Sequence, residues 1–140
     1  TVVEPLIKSH VNTGKLKYVY RDFPTNASAL AASKLAHCAG KDRYFSFAKV
    51  LFRNQGRWAF TPKYNEALQD IAKLGGIDEA GFKSCMENEE IEKDILQAQK
   101  TAYEVLGVNK TPFVFINGVE YDKTRTYEKI SEKIDSYLKN

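Results

Sequence analysis

The chain has 140 residues, of which 43% are hydrophobic and 28% are charged. This length is sufficient for one domain that buries most of the surface it would expose when unfolded. The 21 basic and 18 acidic residues give a formal charge of +3 and are mixed along the sequence, which argues against nucleic-acid binding. No apolar run is long enough to span a bilayer.

The first segment predicts the end of a helix followed by a strand. Apolar residues recur at helical spacing in residues 1–12, and Gly14 is the expected C-terminal cap. Pro5 fits only as a first-turn residue or as a kink in a longer helix whose start is lost, because an interior proline costs about 3 kcal/mol. Residues 16–21 predict a strand, with Leu16, Tyr18 and Tyr20 on one face.

The pattern of residues 26–87 is helical throughout. Asn26 and Asp78 are residue types that cap helix N-termini, and Asp42 is expected to open an aromatic-rich helix. Thr61-Pro62 is expected to start another helix, because proline is favoured in the first turn.

Asn88 is expected to start a long helix that ends at Gly107. Its predicted buried stripe consists of Ile91, Ile95, Ala98, Ala102 and Val105.

Residues 113–117 predict a strand that is buried on both faces, because Phe113 to Ile116 form an unbroken apolar run. Asn117-Gly118 supplies the positive φ angles of a tight hairpin turn. A final amphipathic helix is predicted from the spacing of Tyr127, Ile130, Ile134 and Leu138.

Thr111-Pro112 stands at the entrance of the predicted strand, where a proline is tolerated because it donates no ladder hydrogen bond. A Thr-Pro dipeptide before such a hairpin resembles the cis-proline loop of the thioredoxin superfamily. The resemblance extends along nearly the whole chain, whose motifs follow one another as in the DsbA-like thiol-disulfide oxidoreductases of bacteria. These motifs are Lys15 to Pro24, His37 to Gly40, Leu51 to Gln55 with Trp58, and Leu74 to Ile77 before Phe82 and Cys85.

This resemblance implies an α/β, thioredoxin-like fold with an all-helical insertion. Residues 1–25 and 88–140 would form the thioredoxin-like subdomain, and residues 26–87 the insertion. In this family a central strand lies between the strands that correspond to 16–21 and 113–117, and we expect that strand and the start of the first helix to be absent from the chain. The two segments should then not pair within a lone copy, and their open edges would favour self-association.

The family carries out its chemistry with a Cys-x-x-Cys motif, which this sequence lacks. The resemblance implies a parent protein that introduces disulfides into unfolded or reduced substrate proteins by dithiol-disulfide exchange, and that could depend on a membrane redox partner. We expect no catalytic residue, no metal site and no cofactor in these 140 residues, which alone should be inactive.

Thr111 and Pro112 are the expected substrate-binding residues. The resemblance implies that a cis bond presents the backbone of Thr111 to an extended substrate, so that main-chain pairing accepts many sequences. The plainer interpretation is that Pro112 only ends the turn formed by Asn109 and Lys110.

Cys38 and Cys85 are too far apart for a Cys-x-x-Cys motif. They could be two buried free thiols. The resemblance favours a structural disulfide, because some DsbA-like proteins carry a second, non-catalytic pair. A disulfide would indicate an oxidising compartment such as the bacterial periplasm, although no signal peptide is present in the sequence.

Neither histidine is expected to be catalytic. His37 precedes Cys38, but adjacent helical residues point about 100° apart. His10 is expected at the surface or at a boundary.

Two further functions stay open. One is a non-catalytic thioredoxin-fold module that binds proteins or acts as a chaperone through Thr111-Pro112. The other is an enzyme like the kappa-class glutathione transferases and isomerases, which do not need Cys-x-x-Cys. The residues Arg21 to Pro24 and the cysteine pair argue against this second alternative.

Overall fold

The computed structural model describes residues 1–140. The chain forms two compact units: unit 1 comprises residues 1–21 and 108–140, and unit 2 comprises residues 22–107. This division differs from the expected one in that the long helix before Gly107 belongs to the helical unit.

Unit 2 is all-helical, and unit 1 combines a short helical segment, a hairpin and a C-terminal helix. None of the helices is both long enough and apolar enough to cross a membrane. The elements are α1 (Val3–Leu6), a π-helical turn (Ile7–Val11), α2 (Ala27–Cys38), α3 (Tyr44–Arg53), α4 (Gln55–Trp58), α5 (Tyr64–Leu74), α6 (Glu79–Met86), α7 (Glu89–Leu106), β1 (Phe115–Ile116), β2 (Val119–Glu120) and α8 (Tyr127–Leu138).

Three predicted N-terminal caps are confirmed, each made by a side chain that bonds to the first turn of its own helix. Asn26, Asp78 and Asn88 each accept a hydrogen bond from the backbone N–H three residues ahead, at 2.8–2.9 Å. Each bond satisfies a donor that the first turn of its helix leaves without an intrahelical partner. Gly107 ends α7 with a φ of 70°, in the left-handed region that glycine reaches without steric cost.

The prediction for Asp42 is wrong. The helix α3 begins at Tyr44, and no side chain caps its N-terminus. The N–H of Arg43 bonds to the carbonyl of Gly40 at 3.1 Å, so a turn places Asp42 before the helix and not at its start. The short helix α4 was not predicted.

The core of unit 2 is apolar and surrounds Leu35 and Leu68, which are fully buried. Trp58 lies in this core and donates from Nε1 to the carbonyl of Leu51 at 3.0 Å, which satisfies its only polar atom. The buried members are Ala31, Ala32, Leu35, Ala36, Ala39, Phe47, Leu51, Trp58, Leu68, Ile71, Ala72 and Phe82.

Of the stripe predicted for α7, Ile95 is buried, and Ile91 and Ala102 are half-buried. Ile95 is 4% exposed, whereas Val105 is 73% exposed and Ala98 is also exposed. Periodicity predicts which face of a helix is apolar, but burial also requires a partner for that face.

In unit 1, β1 and β2 form an antiparallel hairpin in which Ile116 pairs with Val119. Asn117 and Gly118 both have positive φ angles, 50° and 77°, as the Asn-Gly turn requires. The core beneath the hairpin joins it to α1 and α8, and consists of Leu6, Ile116, Tyr121, Ile130 and Ile134.

The strand predicted at residues 16–21 is absent. The sheet contains only β1 and β2, and a strand needs a neighbour to complete its backbone hydrogen bonds. No ladder therefore joins residues 16–21 to residues 113–117. The predicted alternation survives in the burial of residues 16–20, where Leu16, Tyr18 and Tyr20 are half-buried and the residues between them are exposed.

Candidate functional site

The predicted substrate-binding residues lie in an exposed loop of unit 1. Val108 is buried after the end of α7, and residues 109–112 are exposed. The Thr111-Pro112 peptide bond is cis, as predicted. The loop is therefore exposed between the buried Val108 and the half-buried Phe113.

The strand after the loop provides a rigid support. Ile116 is buried, and Val114 packs against the same core. The carbonyl of Val114 accepts a hydrogen bond from the N–H of Tyr121 at 2.8 Å. The hydroxyl of Tyr121 donates to the carbonyl of Thr124 at 2.9 Å. These contacts hold the hairpin, and with it the loop, on the core of unit 1.

Phe113 and Phe115 lie on the other face of this strand, because side chains alternate along it. Their ring centroids are 5.1 Å apart, which is within the range of favourable aromatic pairs. Phe115 is 39% exposed. The strand thus carries one aromatic face directly after Pro112.

The cysteine pair lies in unit 2. Cys38 and Cys85 are joined by a disulfide with an S–S distance of 2.03 Å, and their Cα atoms are 5.9 Å apart. This is the pairing that the resemblance implies, and there is no free cysteine in the chain.

Neither cysteine lies in a position that would stabilise a thiolate. Cys38 is the last residue of α2, and Cys85 is the second-last residue of α6. The C-terminal end of a helix carries partial negative charge, which disfavours an anion, whereas reactive cysteines are typical of helix N-termini and electropositive surroundings. Cys85 is also only 5% exposed, and burial disfavours the charged form of a thiol. The geometry therefore fits a stabilising disulfide better than an exchanging one.

The structure corrects the prediction for His10, which is only 5% exposed. Its Nε2 lies 2.9 Å from Oδ1 of Asp135 on α8, and its Nδ1 lies 2.6 Å from Oγ of Ser9. Sequence reasoning missed this contact because Asp135 is 125 positions away.

Ser9, His10 and Asp135 do not form a hydrolytic site. The Ser9 hydroxyl lies 2.8 Å from the carbonyl of Pro5, to which it donates, and the buried imidazole is closed to a substrate. A nucleophile needs an accessible oxygen next to a base that can take its proton. The network instead connects the first helical segment to α8.

A second missed cluster lies in unit 2, where Asp22 accepts hydrogen bonds from Ser33, His37 and Tyr44. No local sequence signal predicts it, because the four residues come from three separate parts of the chain. His37 is thus bonded to Asp22 and not directed at Cys38.

Comparison with known proteins supports the same fold. The model of the thioredoxin family matches residues 1–136. In the crystal structure of alpha-DsbA1 from Wolbachia pipientis, the similar region covers 97% of this chain and 75% of that one, with a TM-score of 0.86 and 26% identity. A protein-disulfide isomerase from Novosphingobium aromaticivorans has a TM-score of 0.76 at 18% identity, covering 99% of this chain and 83% of that one, and shows the fold alone.

Two rickettsial proteins that carry the provisional name protein-disulfide oxidoreductase are similar in sequence. The protein from Rickettsia typhi is 30% identical over 100% of this chain and 52% of its own length. The protein from Rickettsia conorii is 32% identical over 99% of this chain and 50% of its own length. The chain thus spans about half the length of the curated relatives that it matches.

The fold and these matches define a thioredoxin-like protein with a helical insertion. Within that class, the chain belongs to the DsbA-like thiol-disulfide oxidoreductases of the thioredoxin superfamily.

Proposed function

We propose that the protein oxidises dithiols of substrate proteins and that residues 109–112 bind the substrate backbone. In such a reaction a substrate thiolate attacks a disulfide of the enzyme and forms a mixed disulfide. The second substrate thiol then displaces the enzyme, so that the substrate loses two electrons and two protons and the enzyme gains them. Membership in the DsbA-like family and the exposed Thr111-Pro112 loop support this proposal.

A second part of the proposal rests on the position of both cysteines at helix C-termini. Cys38 and Cys85 do not exchange with substrates, and the redox-active Cys-x-x-Cys lies in the longer protein, outside these 140 residues. An attack on the half-buried Cys38 would expel the thiolate of Cys85 at a buried position near a helix C-terminus, and a poor leaving group makes exchange slow.

Activity assays on the chain test this division. We expect residues 1–140 to oxidise a dithiol peptide no faster than the buffer control, and we expect a Cys38→Ala/Cys85→Ala variant to behave in the same way. Oxidation above background that the double variant abolishes would show that this pair is the catalytic one.

A peptide-binding assay tests the loop independently of the chemistry. Thr111→Pro removes the backbone N–H at this position, whereas Thr111→Val keeps the backbone and nearly the same shape. If the substrate pairs with the main chain, Thr111→Pro should weaken binding of a reduced, unfolded peptide at least about tenfold, and Thr111→Val should change it by less than about threefold. Equal losses in both variants would instead indicate side-chain recognition.

The absence of a free thiol in the chain favours one alternative, a binding module without redox activity. It predicts the same peptide binding, but also no dithiol oxidation by the longer protein. The glutathione-dependent alternative stays a prediction that a conjugation assay would test.

The Cys38–Cys85 disulfide also supports an extracytoplasmic, bacterial location, because such bonds persist in oxidising compartments. Alkylation of thiols in intact cells tests this proposal: protection of both cysteines is expected, and labelling of both would contradict it. A membrane redox partner that reoxidises the protein, and self-association through the outer edges of the β1–β2 hairpin, complete the proposal for its interactions.

A further inference from the structure

Residues 22–26, here called the anchor segment, belong to no helix or strand. They are the first residues of unit 2 after the chain leaves unit 1. Because no ladder or helix holds them, their position depends on side-chain contacts.

Asp22 provides the largest set of these contacts. Its Oδ2 accepts hydrogen bonds from His37 Nε2 and from the Tyr44 hydroxyl, both at 2.8 Å, and its Oδ1 accepts one from the Ser33 hydroxyl at 3.1 Å. Ser33 and His37 belong to α2, and Tyr44 belongs to α3. One carboxylate therefore ties the segment to two helices.

The charge on this carboxylate strengthens the three bonds, since hydrogen bonds to an ionised acceptor are the stronger ones. Burial by itself raises the pKa of Asp22. The hydrogen bonds from His37, Tyr44 and Ser33, together with the positive charge that His37 can carry, outweigh burial and lower the pKa below its ordinary value. The folded structure thus favours the ionised form of Asp22.

The other hydrogen bonds of the segment are made by Pro24 and by Asn26, whose side chain also accepts from the Ser28 hydroxyl at 2.9 Å. Pro24 is buried, and its carbonyl accepts from Gln99 Nε2 at 2.7 Å. Asn26 caps α2. Phe23 and Thr25 lie between these residues, so the position of their backbone depends on the contacts that Asp22 and Pro24 make.

The titratable groups that face the carboxylate are His37 from α2 and Tyr44 from α3. Both donate an N–H or O–H in their neutral forms. The three bonds therefore need no charge on His37 when its proton is on Nε2, whereas a protonated Asp22 no longer accepts all three.

We propose that Asp22 is an acid-sensitive latch, whose protonation releases residues 22–25 from α2 and α3 while the core of unit 2 stays folded. The core is separate because its buried members are apolar and do not include Asp22. This inference is independent of the Thr111-Pro112 loop and of the redox chemistry.

Backbone order parameters from NMR relaxation test the latch, because they report ps–ns motion residue by residue. In Asp22→Asn at pH 7, we expect those of Phe23 and Thr25 to fall from about 0.85, typical of rigid backbone, to below about 0.6. Leu35 and Leu68 in the core should keep theirs. Asp70→Asn is the matched control, because Asp70 is an exposed aspartate on α5 of the same unit.

The wild-type chain should show the same local loss as the pH is lowered from the ordinary aspartate range through the folded pKa of Asp22, which lies below that range, and Asp22→Asn should show no further change over that interval. Unchanged order parameters at Phe23 and Thr25 in Asp22→Asn would overturn the proposal. A loss spread equally over α2 and α3 would also overturn it, since that would indicate general destabilisation.

If Asp22→Asn does not fold, Tyr44→Phe provides a milder test. It removes one donor and keeps the ring, so the pKa of Asp22, followed by its side-chain 13C shift, should rise toward the ordinary value. No rise would show that the tyrosine bond does not hold the carboxylate, and would overturn the latch as described.

Discussion

Gly75→Ala tests the packing of unit 2 most directly. A Cβ at Gly75 would overlap Cζ of Phe47, with two further ring atoms within 3.0 Å. Phe47 is 6% exposed. Arg43 covers its ring at 5.5 Å and donates to the carbonyl of Gly75 at 2.8 Å. The ring therefore cannot move away without disturbing a second contact.

Overpacking of this kind costs about 1–3 kcal/mol, and we expect the upper half of that range because an aromatic ring must shift. Chemical denaturation followed by the fluorescence of Trp58 measures it, since Trp58 is the only tryptophan and lies in the same core. The midpoint should fall with no change in the slope, which reports the surface exposed on unfolding.

Gly56→Ala is the matched control. Gly56 lies in α4, and nothing is within 4 Å of its Cβ position, so alanine should be neutral or stabilise by up to about 1 kcal/mol. In a Phe47→Leu background, Gly75→Ala should cost less, because the clashing ring is gone. An equal cost in both backgrounds would refute the packing argument.

Three further predictions concern polar and covalent contacts. Replacing Cys38 and Cys85 by alanine should lower the free energy of unfolding by about 4 kcal/mol on the chain-entropy model; a loss below about 1 kcal/mol in urea denaturation would contradict a stabilising role. Asp22→Asn should cost about 1–3 kcal/mol at pH 7. Because the folded pKa is lowered, this difference from wild type should shrink as the pH falls below about 4, and a constant difference in pH-dependent denaturation would argue against it. Glu92→Gln should cost about 1–2 kcal/mol, since it weakens the pairing of the buried Lys34 ammonium; a neutral effect on the denaturation midpoint would show that the Met86 carbonyl, which accepts a hydrogen bond from the same ammonium at 2.6 Å, is a sufficient partner.

The sequence predicted those features whose cause is local. The caps at Asn26, Asp78 and Asn88 depend on a side chain and an N–H three residues ahead, and the Asn117-Gly118 turn depends on two adjacent residues. Such contacts form wherever the segment folds, so the residue types alone identify them.

Features that need a distant partner were missed or misjudged. The burial of His10 depends on Asp135, and the strand at residues 16–21 needs a neighbouring strand to pair with. The exposed half of α7 follows the same rule, since Val105 has the right spacing but no cover. Periodicity gives the apolar face of a segment, whereas its contacts are set by the rest of the chain.

The cysteines show why the site needed the structure as well as the family resemblance. A count of two cysteines fits both a redox pair and a stabilising bond, and the resemblance favoured the latter without a physical reason. The structure supplies that reason, because both sulfurs lie at the negative ends of helices and one is buried. An exchanging pair requires the opposite setting, in which the leaving thiolate is stabilised. The structure therefore assigns the Cys38–Cys85 disulfide to the stability of unit 2, whereas substrate recognition at Thr111 stays a prediction.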